Sequence, residues 1–178
     1  IRFLLNPHPE GVGFNALFQS EILMVNIPPK TRSGNGAFHL EQIKYLRSLI
    51  DNSAIRKVIF VSSTGVYPEV TSAGKYGEDF QISVENAGNN TIFRAEQLME
   101  KGRKYDLTIL RFGGLLGDDR VPGKYFSGKE HVAGHTRVNF IHRKDAVRML
   151  AWVIENELWN ETFNGVAPIH PLRRDIYE

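Results

Sequence analysis

The sequence contains no cysteine. Disulfides, thiolate metal sites and a cysteine nucleophile are therefore all excluded. Long hydrophobic runs are missing too. Segments 22–25 and 58–61 are four residues each, whereas a membrane-crossing helix needs about 20 mostly apolar residues. There is no strong excess of one charge. A formal net charge of +2 is too small to make nucleic acid or an anionic membrane the main partner. The opening residues show neither the basic start nor the small-residue cleavage site of a signal peptide, and the expected location is the cytoplasm. What is present is ordinary for a globular domain: 178 residues, 42% hydrophobic and 24% charged. That is enough chain for one buried core.

Four short apolar segments, 1–5, 22–27, 58–62 and 107–112, read as strands. They are continuous rather than alternating, as parallel strands buried on both faces should be. Helical spacing appears between them. In 38–50, Ile43, Leu46 and Ile50 share one face; in 91–103, Ile92, Ala95 and Met99 form a stripe. A third helix is expected to begin near Asp145 as its N-cap, burying Ala146, Leu150 and Val153. Short strands at 138–141 and 162–166 flank it. Alternation of this kind implies a doubly wound α/β fold with a parallel sheet. One domain over 1–178 is expected, with a small substrate-side region at about 113–142 and 162–178. The stretch 113–137 has six glycines and little periodicity, the pattern of a functional loop.

Three segments carry a more specific pattern. Lys57-Val-Ile-Phe-Val-Ser-Ser-Thr-Gly-Val-Tyr67 runs from a buried strand into a hydroxyl cluster. Asp106-Leu-Thr-Ile-Leu-Arg-Phe-Gly-Gly-Leu-Leu-Gly117 ends its strand in arginine and glycines. Val138-Asn-Phe-Ile-His-Arg-Lys-Asp-Ala-Val147 follows in order. With Val25-Asn-Ile-Pro-Pro-Lys30, the chain resembles the short-chain dehydrogenase/reductase superfamily, specifically its NAD-dependent epimerase/dehydratase-like branch. The resemblance implies a Rossmann-like three-layer fold and NAD or NADP as cofactor. It also implies cofactor contacts from Asn26, Ile27 and Pro28, from Ser62, and from Arg111, Gly113 and Gly114. Ser63 would take the position of the superfamily's catalytic hydroxyl. Each motif also has a plain structural reading: Asn-Pro-Pro ends a strand, serines cap helices, and Gly-Gly turns the chain. Parallel strands bring their C-terminal ends to one edge, so Arg120 and Asn139 are expected at the same cleft as substrate contacts. His142 is expected there as a substitute acid/base.

Two departures qualify the resemblance. Segment 1–5 matches the third strand of that fold, so the glycine-rich first βαβ segment is expected to lie outside these residues. Gly11-Val-Gly-Phe-Asn-Ala16 fits G-x-G-x-x-A in letters only. Two prolines separate it from the preceding strand, and no acidic residue follows at ribose distance. A gap is accordingly expected between 1–5 and 22–27. The second departure is chemical. Gly88 and Ile92 stand where the superfamily has its proton-transferring Tyr and Lys, and Tyr125/Lys129 match that spacing only within the long loop.

Other candidates are weaker. His131 and His135 are i, i+4, but Gly134 argues against the helix such a zinc site needs, so no metal is expected. Seven Lys/Arg against two Asp/Glu between Arg120 and Arg148 read either as a solvated loop or as attraction for an anionic substrate. Two functions remain open. One is an NAD(P)-dependent oxidoreductase or isomerase acting on a small anionic or nucleotide-sugar-like molecule. The other is a non-catalytic dinucleotide sensor or partner-binding module on the same scaffold.

Overall fold

The computed structural model describes residues 17–29, 34, 36–69, 74–118, 120–121 and 134–177. Its elements in chain order are β1 (Ile22–Val25), α1 (Gly36–Asp51), β2 (Lys57–Ser63), a 3₁₀ turn (Thr64–Val66), α2 (Asn90–Glu100) and β3 (Asp106–Phe112). Then come β4 (Gly114–Leu116), β5 (Phe140–His142), α3 (Arg143–Glu155), β6 (Thr162–Gly165) and α4 (Arg174–Tyr177). One parallel sheet has the order β1-β2-β3-β6, and β4 and β5 form a second parallel pair. The α/β class and the parallel pairing of β1, β2 and β3 are as the sequence predicts. Segment 1–5, the Gly11 motif, Tyr125, Lys129 and His131 lie outside the described residues.

Strand periodicity builds two cores. Val58 and Phe60 of β2 and Leu107 and Ile109 of β3 face α1 and α2, meeting Ile43, Leu46, Ile50, Ala95 and Met99. Ile59, Leu110 and Phe112 point the other way, onto Ala146 and Val153 of α3. Helices thus cover both faces, although Met24 of β1 remains 51% exposed. Among the described residues β1 pairs only with β2.

The element ends differ from expectation for local reasons. The first strand stops at Val25, short of Ile27, ahead of Pro28 and Pro29, which cannot donate to a ladder. α2 stops at Glu100 rather than 103, because Gly102 adopts φ +64°. Asn89 caps its start, accepting from Thr91 N and Ile92 N at 3.0 and 3.2 Å. The cap of α3 is His142, not Asp145: its Nδ1 accepts from Lys144 N at 3.2 Å. Asp145 lies instead in the first turn, where a carboxylate suits the helix dipole. Strand β4 was unexpected, its three residues falling in what reads as loop.

Candidate functional site

The carboxyl ends of the four parallel strands form one edge. Val25 pairs with Phe60, so Asn26, Ile27 and Pro28 leave the sheet just below the level of Ser62. Asn26 and Pro28 are exposed, and Ile27 packs on the core under α1 and α2. Ser62 pairs with Arg111, and Ser63 with Phe112, which in turn pairs with Gly165.

On the α2 side of this edge lies a continuous polar layer. Glu96, buried on α2, receives Ser62 Oγ at 2.5 Å, Arg111 Nε at 3.2 Å and a second Arg111 nitrogen at 2.8 Å. Arg111 also donates to the Tyr67 hydroxyl at 2.8 Å, with its guanidinium 5.0 Å from the ring centroid. Tyr67 donates in turn to Asn164 Oδ1 at 3.0 Å, and the Asn164 backbone N donates to Glu78 at 2.8 Å. Desolvation works to lower the Arg111 pKa, but its bonds to Glu96 and Tyr67 prevail and raise it. Tyr76 stacks on Tyr67 at 5.7 Å, and Phe80 packs against Tyr76 at 4.3 Å. The segment after β2 is thereby held across the carboxyl ends of β2, β3 and β6.

Glu96, Tyr67, Asn164 and Glu78 were not singled out from sequence. Glu96 left a signal. Arg111 alternates onto the face of Leu107 and Ile109, so its charge needs a buried acid. Glu96 is the carboxylate next to Ala95 on the facing stripe.

Ser63 lies at the end of β2, where its Oγ accepts from Gly65 N at 3.1 Å; the hydroxyl proton is left to donate elsewhere. Gly88 sits tight against the turn that follows. Its N donates to Val66 O at 3.0 Å, and a Cβ there would stand 2.0 Å from Tyr67 O. No side chain fits at that position without moving backbone. Ile92 lies in the first turn of α2.

The remaining candidates gather at β4 and β5. Gly113 N donates to Gly165 O and Gly114 N to Asn139 O, at 3.0 and 2.7 Å. A Cβ on Gly113 would meet Asn139 O at 2.7 Å, so the glycines allow backbones to touch. Leu116 pairs with His142. A Cβ on Gly117 would lie 3.1 Å from His142 Nε2, and Arg143 pairs with Asp118 beside it. Arg120 is exposed and bridges back to Gly117. The structure thus brings Gly113, Gly114 and Asn139 together, and Ser62 with Arg111. Ser63 Oγ and His142 Nδ1 each accept from their own neighbouring backbone. Of the candidate residues named from sequence, Ser63 keeps its hydroxyl proton and His142 its Nε2 beyond these bonds. Among the described residues no cluster of His and carboxylates could hold a metal, and no helix is long and apolar enough to cross a membrane.

No family model matches the chain. It is 28% identical over 187 residues to protein YeeZ of Escherichia coli strain K12, covering 98% of this chain and 65% of that protein. The chain therefore spans about two thirds of that relative's length. It superposes on the nucleoside-diphosphate sugar epimerase from Corynebacterium glutamicum with a TM-score of 0.74 at 16% identity, over 97% of this chain and 40% of the other. The human epimerase family protein SDR39U1, solved with NADPH, gives 0.68 at 17% identity, over 96% and 66%. The fold is epimerase/dehydratase-like.

Proposed function

We propose that the chain forms the nicotinamide-side part of an NAD(P)-binding site, in a cytoplasmic oxidoreductase or isomerase acting on a small anionic, nucleotide-sugar-like molecule. The observation that carries this reading is the shared carboxyl edge, which delivers Asn26, Ser62, Ser63 and the Gly113–Gly114 neck to one side of the sheet, where ligands of such sheets bind. The polar groups there suit the nicotinamide and its ribose: exposed Asn26 with Ile27 and Pro28 beside it, and the hydroxyls of Ser62 and Ser63. Gly113 and Gly114 form the wall. Arg111 contributes by holding Ser62 through Glu96 rather than by reaching out. The pyrophosphate finds no glycine-rich cradle among the described residues, so that half of the cofactor is assigned to chain outside them.

Bound nicotinamide would supply hydride exchange. The chain's own part is to orient the substrate through Ser63, Asn139 and Arg120, and to move a proton at His142 Nε2. A second reading, a dinucleotide sensor without catalysis, is favoured by Gly88 and Ile92, which leave the usual proton-transfer positions empty of chemistry. The test is NADH and NADPH binding followed by fluorescence, together with turnover on a panel of nucleotide sugars. Binding with turnover that falls in Ser63→Ala and His142→Gln supports the enzyme. Binding without turnover supports the sensor, and absence of NADH and NADPH binding sinks both.

A further inference from the structure

We infer that residues 74–88 form a strap that gates the carboxyl edge, latched by Glu78 on the backbone N–H of Asn164. The inference deepens the cofactor reading and rests on it, since the edge the strap closes is the one assigned to the nicotinamide side. The strap is ordered by its own bonds. Phe80 N closes one turn on Gly77 O at 3.2 Å, and Ala87 N closes a second on Ser83 O at 2.9 Å. Asn86 joins the two turns, its side chain accepting from Ser83 N at 2.7 Å and donating to Gln81 O at 3.1 Å. Ties to the remainder are few. Among the described residues, two hydrogen bonds connect 74–88 to the rest of the chain: Gly88 N to Val66 O at its root, and Asn164 N to Glu78 Oε1. Tyr76 and Phe80 also rest on the Tyr67 ring. A piece with its own internal bonds and a single polar pin away from its root can move as a body when that pin opens.

The pin suits a latch. A carboxylate on a backbone N–H makes a strong, short bond, here 2.8 Å, yet Glu78 is exposed, so water can replace each partner when they separate. The other half of the latch is firmly held. Asn164 Oδ1 accepts from the Tyr67 hydroxyl, which accepts from Arg111, which is fixed by buried Glu96. Opening is therefore left to the strap side. The next residue, Gly165, accepts from Gly113 N, which sets the latch one residue from the wall of the proposed site. Glu78 acts here as a positioning residue: it touches no ligand, and ligand exchange at this edge waits on its release.

The test is stopped-flow fluorescence of NADH and NADPH binding, with hydrogen exchange of the Asn164 amide read by NMR. Glu78→Ala should speed Asn164 exchange at least tenfold. It should also raise the association and dissociation rates of the bound nucleotide together, at least fivefold, with affinity changed less than twofold. Damage to the site by a merely structural contact would lower affinity instead. Glu78→Gln keeps an acceptor oxygen in place and should retain the wild-type rates. Unchanged Asn164 exchange in Glu78→Ala overturns the latch. Faster exchange with unchanged nucleotide rates, or lost affinity without faster association, overturns the gate while the cofactor reading stands. Absence of NADH and NADPH binding in the wild type overturns the cofactor reading, and the gate over that site falls with it.

Discussion

Arg111 and Glu96 form a pair with little access to water, 8% and 3% exposed. Deleting one partner of such a pair leaves the other charge uncompensated, at a cost of about 3–5 kcal/mol. Glu96→Ala should therefore lose about that much stability in urea denaturation, and Arg111→Leu added to it should recover part of the loss. Tyr67→Phe removes one acceptor of Arg111 and one donor to Asn164, and should cost about 1–3 kcal/mol. His39 gives a pH signature. Burial holds its imidazole below the ordinary value, so the folded state prefers the neutral form. That contribution is complete above about pH 6.5 and is lost as the pH falls through the lowered folded value. Urea midpoints should drop over this acid range, and His39→Leu should flatten the drop.

The helices depend on side chains distant in sequence. Arg47 of α1 pairs with Asp51 and donates to the carbonyls of Leu98, Met99 and Lys101, closing the C-terminus of α2. Its guanidinium lies 5.2 Å from the Tyr105 ring centroid, and the Tyr105 hydroxyl donates to Met99 O. Arg47→Ala should cost about 1.5–3 kcal/mol, the usual worth of hydrogen bonds to a charged group. Burial pushes the Tyr105 phenol up to about 12. Its contribution is full below about pH 10, the ordinary value, and is lost as the pH rises toward 12. Alkaline unfolding should therefore shift in Tyr105→Phe. Gly88→Ala should destabilise because Tyr67 O stands in the way, and Gly88→Tyr with Ile92→Lys should unfold the edge rather than create a dehydrogenase. The contacts of Arg47 and Tyr105 were not legible in sequence, where Arg47 reads as a solvent-facing residue of an amphipathic helix. Helix existence was legible from Ile43, Leu46 and Ile50; helix ends were not, because His142 caps with an imidazole nitrogen and Gly102 turns the chain through its backbone φ, neither of which composition signals.

For the whole molecule, the sheet came through clearly because β2 and β3 are buried on both faces and their sequences say so. Exchange of backbone amides for deuterium should be slowest in these central strands and faster in β1 and β6, which lie at the edges of the four-stranded order. The candidate site was legible at Ser62, Arg111 and the glycines, since strand ends can be read from apolar runs. Glu78 and Asn164 escaped because their contact joins residues 86 positions apart through one backbone N–H. Such pairings arise from the closed fold and leave no local pattern.

The Gly113–Gly114 neck has a consequence for how this architecture can change. The chain leaves the main sheet there, and the Gly114–Asn139 bond ties the start of the excursion to its end. β5 then returns the path to α3 and β6 beside β3. A segment whose two roots are fastened together can lengthen or shorten with little effect on what it is rooted in, because the closure cost of a connection grows slowly with its length, by about 0.6 kcal/mol per doubling. Insertions and deletions between residues 117 and 137 should therefore be tolerated in expression and folding screens, while the same changes between β2 and β3 should not. Ligand preference could then drift by successive length changes in one appendix, on a scaffold that hardly registers them.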